Sequence, residues 1–116
     1  MVNQGKAFSL DLQISGCTAV LQSGRETAFN QAVAYKNRGR AYGHKGDYDR
    51  GIVDHNEAIR LDPKDATAFH GRGNVYLDMS FRRLEYRDRA IADYNEAIRL
   101  DPSYALPTTV GAWRTP

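Results

Sequence analysis

The chain has 116 residues, 41% hydrophobic and 26% charged, with a formal net charge of +2. That length allows one domain, whose folding buries roughly 65% of the unfolded chain's surface, and the composition is ordinary for a globular protein. So small a charge gives no argument for a polyanion partner, a single cysteine excludes an internal disulfide framework, and no apolar run approaches the roughly eighteen residues of a membrane span.

The opening Met1 to Lys6 lacks the apolar core of a signal peptide, and the compartment stays open. Leu10, Ile14, Cys17 and Leu21 then form one helical stripe ending at Gly24, which predicts a helix over 9–23. Thr27 is placed to cap the next helix, predicted over 28–45, where Tyr35, Gly39 and Tyr42 recur at i, i+4, i+7. Gly46 is a helix stop and Asp47 an N-cap for a helix over 47–61, whose stripe is Ile52, His55, Ala58 and Ile59. Asp62-Pro63 ends it, because proline disfavours a helical residue before it. Asp65 caps a helix over 65–80 carrying Phe69, Gly73 and Tyr76. The last predicted helix, 87–101, carries Ile91, Tyr94, Ala97 and Ile98. Ser103-Tyr104-Ala105-Leu106 begins as another helix would, but Pro107 and Gly111 stop it, so 107–116 reads as a loose tail.

The chain copies itself. Asp54-His55-Asn56-Glu57-Ala58-Ile59-Arg60-Leu61-Asp62-Pro63 returns as Asp93-Tyr94-Asn95-Glu96-Ala97-Ile98-Arg99-Leu100-Asp101-Pro102, identical at nine of ten positions. Ahead of the turn, Tyr35, Arg38, Gly39 and Tyr42 match Phe69, Arg72, Gly73 and Tyr76 at an offset of 34; beyond it, Gly51, Ile52, Ala58 and Pro63 match Ala90, Ile91, Ala97 and Pro102 at 39. The unit is therefore 34 residues of helix-turn-helix, with five residues inserted between the helices of the second copy. Copied units of this kind stack into solenoids, because none buries its apolar face alone.

This pattern resembles the tetratricopeptide repeat family, which has small residues at positions 8, 20 and 27, aromatics at 11 and 24, and proline at 32. Those positions hold Gly39, Tyr42, Gly51, Ala58 and Pro63, then Gly73, Tyr76, Ala90, Ala97 and Pro102. Position 24 is His55 in the first copy, a departure, and Tyr94 in the second; position 4 carries Tyr35 and Phe69 where the family often has tryptophan. The expected architecture is a single all-α domain over 1–116, a short solenoid of helical hairpins. Its parts are a degenerate half repeat at 9–23, repeats at 32–65 and 66–104, and the tail. In that frame Ile14 falls on Ile52 and Cys17 on His55.

No catalytic set emerges. Cys17 lies on an apolar stripe, where small thiols serve as packing. Gly71-Arg72-Gly73 has Tyr76 where a phosphate loop needs its third glycine. His44, His55 and His70 share no i, i+4 metal spacing, and His55 is expected as a core residue with one hydrogen bond. The arginines and aromatics of 81–89 are interrupted by Asp88, and Glu85 and Arg89 stand four apart, as in a salt-bridged solvated helix rather than a nucleic-acid surface. No enzyme activity, cofactor, metal or nucleic acid is expected.

The resemblance implies a protein- or peptide-binding adaptor that uses its concave face, lined by positions 2, 5, 9, 12 and 13. These are Val33, Lys36, Arg40, Gly43 and His44, then Thr67, His70, Asn74, Leu77 and Asp78. Lys36, Arg40 and His44 share one helix face and suit an acidic peptide. The carboxylate clamp of chaperone-binding relatives is not reproduced: Lys36 matches its first lysine, but Arg40 and Gly71 stand in place of asparagines. The alternative is a self-association module. No glycine or proline falls between Asn74 and Leu100, so 76–90 is open to two outcomes, a hairpin with a longer link or one helix of roughly 27 residues spanning about 40 Å. The continuous helix would strip the last helix of its own-chain partner and favour domain swapping. Met79, Phe81, Leu84, Tyr86, Ile91, Tyr94 and Ile98 would then meet a second chain.

Overall fold

Helix stops spaced through the chain divide it into rods, and a computed structural model, which describes residues 2–104, shows how they pair. The helices are α1 Val2–Ser23, α2 Ala28–Lys45, α3 Tyr48–Leu61, α4 Ala66–Met79 and α5 Glu85–Leu100, followed by a 3₁₀ turn at Pro102–Tyr104. No strand occurs among the described residues. The caps fall where the side chains can make them: Thr27 Oγ1 accepts from Asn30 N–H, Asp47 from Arg50 N–H and Asp65 from Thr67 N–H. Gly46 closes α2 at φ 90°, a left-handed conformation that a Cβ disfavours. α1 starts at Val2 rather than Ser9, since no proline or cap interrupts the stretch before the stripe. The expected tail at 107–116 lies outside the described residues.

α2 packs on α3, and α4 on α5, through small residues. A Cβ added to Gly39 would lie 3.0 Å from the Gly51 carbonyl oxygen, and one on Gly51 would lie 3.0 Å from that of Gly39. The two backbones thus meet with nothing but hydrogens between them. Ala58, Ala90 and Ala97 complete the buried small-residue seam. Each hairpin is also pinned by a half-buried two-pronged ion pair. Arg38 on α2 donates from Nε and Nη2 to Asp54 on α3 at 2.7 and 2.8 Å. Arg72 on α4 repeats this with Asp93 on α5 at 2.8 and 2.7 Å. Both aspartates are buried.

Residues 76–90 form the hairpin and not the continuous helix. α4 ends at Met79, where Ser80 N–H bonds back to Tyr76 and Leu77 and its hydroxyl caps the Leu77 carbonyl. Arg82 and Arg83 N–H both return to the Met79 carbonyl, so right-handed turns do the work of the missing glycine. Burying Ala90, Asp93 and Ala97 against α4 of the same chain decides the matter over helix propensity. α5 therefore has its own-chain partner, and the ground for a swap through an extended helix is removed. The link costs exposure: Phe81 is 86% and Leu84 77% accessible. Arg89 does not pair with Glu85 as its spacing suggests; its guanidinium lies over the stacked rings of Tyr76 and Tyr86.

Candidate functional site

The first helices of the two hairpins, α2 and α4, stand side by side and form the walls of a groove of about 510 Å³. α2 contributes Lys36, Arg40, Gly43 and His44 at helical spacing, and α4 contributes Thr67, His70, Asn74 and Asp78. Of the ten residues expected there, eight line it. The other two do not: Val33 faces a second groove beside α1, and Leu77 is exposed outside this one.

The groove's charges are not equivalent. Lys36 Nζ is held across the walls by Asp65 at 2.8 Å and by Thr67 Oγ1 at 2.6 Å. Burial raises the Asp65 carboxyl, but the hydrogen bonds from Lys36 and Thr67 outweigh it and hold the group below its usual value. Arg40 is exposed, lines both this groove and the one beside α1, and forms no ion pair among the described residues, so its donors are uncommitted. His44 stands one turn beyond it, and Asp78 gives the opposite wall a negative charge. On α4, Tyr94 O–H donates to Asn74 Oδ1 at 2.6 Å, which directs the Asn74 amide N–H groups away from α5, one of them 3.5 Å from His70 Nδ1. His70 packs against Tyr94 and Tyr104, with centroids 5.6 and 5.0 Å away.

His55 is the side chain the spacing least prepared for. It sits under the groove floor, 1% exposed, and the expected hydrogen bond is not made: neither Nδ1 nor Nε2 has a partner. Glycines flank the ring, since a Cβ on Gly39 would come within 3.1 Å of it and one on Gly71 within 2.6 Å. Burial pushes the imidazole down to about 4, helped by the nearby charges of Arg72, Lys36 and Arg40, so it is neutral at pH 7. The signal was present in the sequence as a pair, a histidine where the repeat has an aromatic and a glycine at 71. Tyr104 was also missed as a groove residue. It lies 39 residues after Asp65 and touches His70 as Asp65 touches Lys36, so the repeat offset marks it.

The residues proposed for self-association divide. Tyr94 and Tyr86 are engaged within the chain, Met79 and Ile98 are half-buried, and Phe81, Leu84 and Ile91 are exposed. No group of three metal-ligating side chains, and no helix long and apolar enough to cross a membrane, occurs among the described residues.

Antiparallel helix pairs stacked side by side, with the first helix of each lining a common groove, define a helical-hairpin repeat protein. Family models described as tetratricopeptide repeat match residues 32–65 and 66–104, and the chain belongs to the tetratricopeptide repeat family. Repeats of this family generally mediate protein–protein interaction or assembly. No curated protein matches the chain.

Proposed function

We propose that the chain is a non-enzymatic adaptor whose α2–α4 groove binds a peptide segment bearing an acidic side chain, seated on Arg40. The uncommitted Arg40 guanidinium carries this reading, because the neighbouring Lys36 is already neutralised by Asp65. A guanidinium presents paired N–H donors that match a carboxylate. His44 and the Asn74 amide extend the polar wall to either side. Asp78 sets a limit: a run of acidic residues would bring one against it, so a single acidic group beside neutral hydrogen-bonding residues fits best.

The test is selection of displayed peptides on the parent chain, followed by binding to Arg40→Glu. Selected peptides are expected to share an Asp or Glu and to lose binding to the variant. Arg40→Glu breaks no internal pair, so its loss reports the groove rather than the fold. Peptides without an acidic residue, or binding indifferent to Arg40→Glu, would contradict the assignment.

A further inference from the structure

The α1–α2 junction is built like the α3–α4 junction. Arg38 Nη1 donates to Thr18 on α1 at 3.2 Å, and Arg72 Nη1 donates to Asn56 on α3 at 2.9 Å. Thr18 and Asn56 are 38 residues apart, the offset that also lays Ile14 on Ile52 and Cys17 on His55. In the same register Gln13, Gly16 and Val20 of α1 correspond to Gly51, Asp54 and Ala58 of α3, and to Ala90, Asp93 and Ala97 of α5. On α3 and α5 all three positions are buried beneath the first helix of the hairpin. On α1 all three are exposed, and a groove of about 550 Å³ runs along them, its other wall carrying Val33, Ala34 and Arg40 of α2 with Glu26 at its end. Phe8 and Leu12 extend the open face, 65% and 58% accessible.

We infer that α1 stands as the second helix of a hairpin without its first, and that the place is filled by α1 of a second copy of this chain, antiparallel and two-fold symmetric. Charge selects the occupant. Between residues 5 and 23 the only charged side chains are Lys6 and Asp11, and Asp11 is bound to Lys45 of its own chain, so the face Phe8, Leu12, Gln13, Gly16, Val20 is uncharged. A first helix swapped in from another copy would bring Arg38 or Arg72 opposite Gly16, where the partner aspartate of α3 and α5 is absent. A guanidinium buried without its carboxylate is strongly unfavourable. The open face of α1 brings no second cation beside Arg40, which lines the same groove. Its apolar stripe is also self-matching: centred on residue 14, an antiparallel pairing sets Phe8 against Val20 and Leu12 against Gly16 of the partner, each twice. Nothing lies within 4 Å of a Cβ placed on Gly16, so the site receives a leucine. Arg40 lines both this groove and the α2–α4 groove, whereas Leu12 lines only this one, so a substitution at Leu12 tests the interface apart from the peptide site.

The experiment is sedimentation of the full chain from ~5 to ~200 µM, the range in which a small helix-pair interface shows mass action. The mass is expected to rise from 13.0 kDa toward twice that value. Leu12→Glu is expected to hold the chain at monomer mass with unchanged helical circular dichroism, since Leu12 touches solvent, whereas Phe81→Glu is expected to leave the dimer intact. As a check that survives any folding defect in Leu12→Glu, the variant Phe8→Cys, Val20→Cys, Cys17→Ser is expected to oxidise to a covalent dimer. Positions 8 and 20 lie about 18 Å apart along one helix and cannot join within a chain. A parent that stays monomeric, a dimer that survives Leu12→Glu or dissociates with Phe81→Glu, or the absence of the covalent dimer would overturn the proposal.

Discussion

His55 is a side chain through which acid is expected to destabilise this fold. The neutral imidazole packs between Gly39 and Gly71 with both ring nitrogens buried and unpartnered, so protonation puts a poorly solvated charge near Arg72, Lys36 and Arg40. Its folded value is about 4, below the roughly 6.5 of the unfolded chain. Stability from this residue is therefore fully present above pH 6.5, is lost as pH falls toward 4 and levels off below that. The difference corresponds to about 3 kcal/mol. Urea unfolding of the parent and of His55→Phe at a series of pH values is expected to diverge by that amount between pH 6.5 and 4. Parallel curves would mean the ring is hydrated or hydrogen-bonded in solution. The Arg38–Asp54 pair, with its aspartate buried and its arginine half-buried, offers a second test at this scale. Asp54→Ala leaves a guanidinium without its carboxylate and is expected to cost about 3 kcal/mol, whereas replacing both partners with apolar residues costs little. A melting temperature unmoved by Asp54→Ala would contradict the pinning role. Both arginines and both aspartates were visible as matched residues in the two copies. That they face each other was not, because pairing across a hairpin depends on helix rotation, which spacing within one helix does not report.

Helix boundaries were legible wherever a side chain or backbone preference marks them. Thr27, Gly46, Asp47 and Asp65 each act at the expected end. The 80–84 link was ambiguous because Ser80, Phe81, Arg82, Arg83 and Leu84 hold no glycine, proline or acidic cap, and Leu84 makes no side-chain cap. There the turn is imposed by the seam of α5 on α4, a tertiary effect. Two glycines separate packing from conformation. Gly39→Leu must force α2 and α3 apart and is expected to cost several kcal/mol, on the order of an overpacked core site. Gly46→Ala meets no neighbour but keeps a left-handed backbone, with an expected cost of about 1 kcal/mol. Equal effects of the two substitutions on chemical denaturation would mean that helix approach at Gly39 is not tight.

At the scale of the molecule, stacking two hairpins makes a groove that no single repeat contains. Its wall residues were legible because a helix face follows from spacing, so eight of the ten expected positions meet there. Their electrostatic roles were not, since Lys36 finds Asp65 only after α4 docks on α2. With Arg40 proposed as the anion seat, binding of an acidic peptide is expected to weaken as salt rises, because the site is open to solvent. The most direct test is titration of a selected acidic peptide into isotopically labelled chain, following each backbone amide by NMR. Shifts are predicted to concentrate on Arg40, His44, His70, Gly71 and Asn74. Shifts centred instead on the 80–84 link and α5, with the groove amides unmoved, would contradict binding through the concave face.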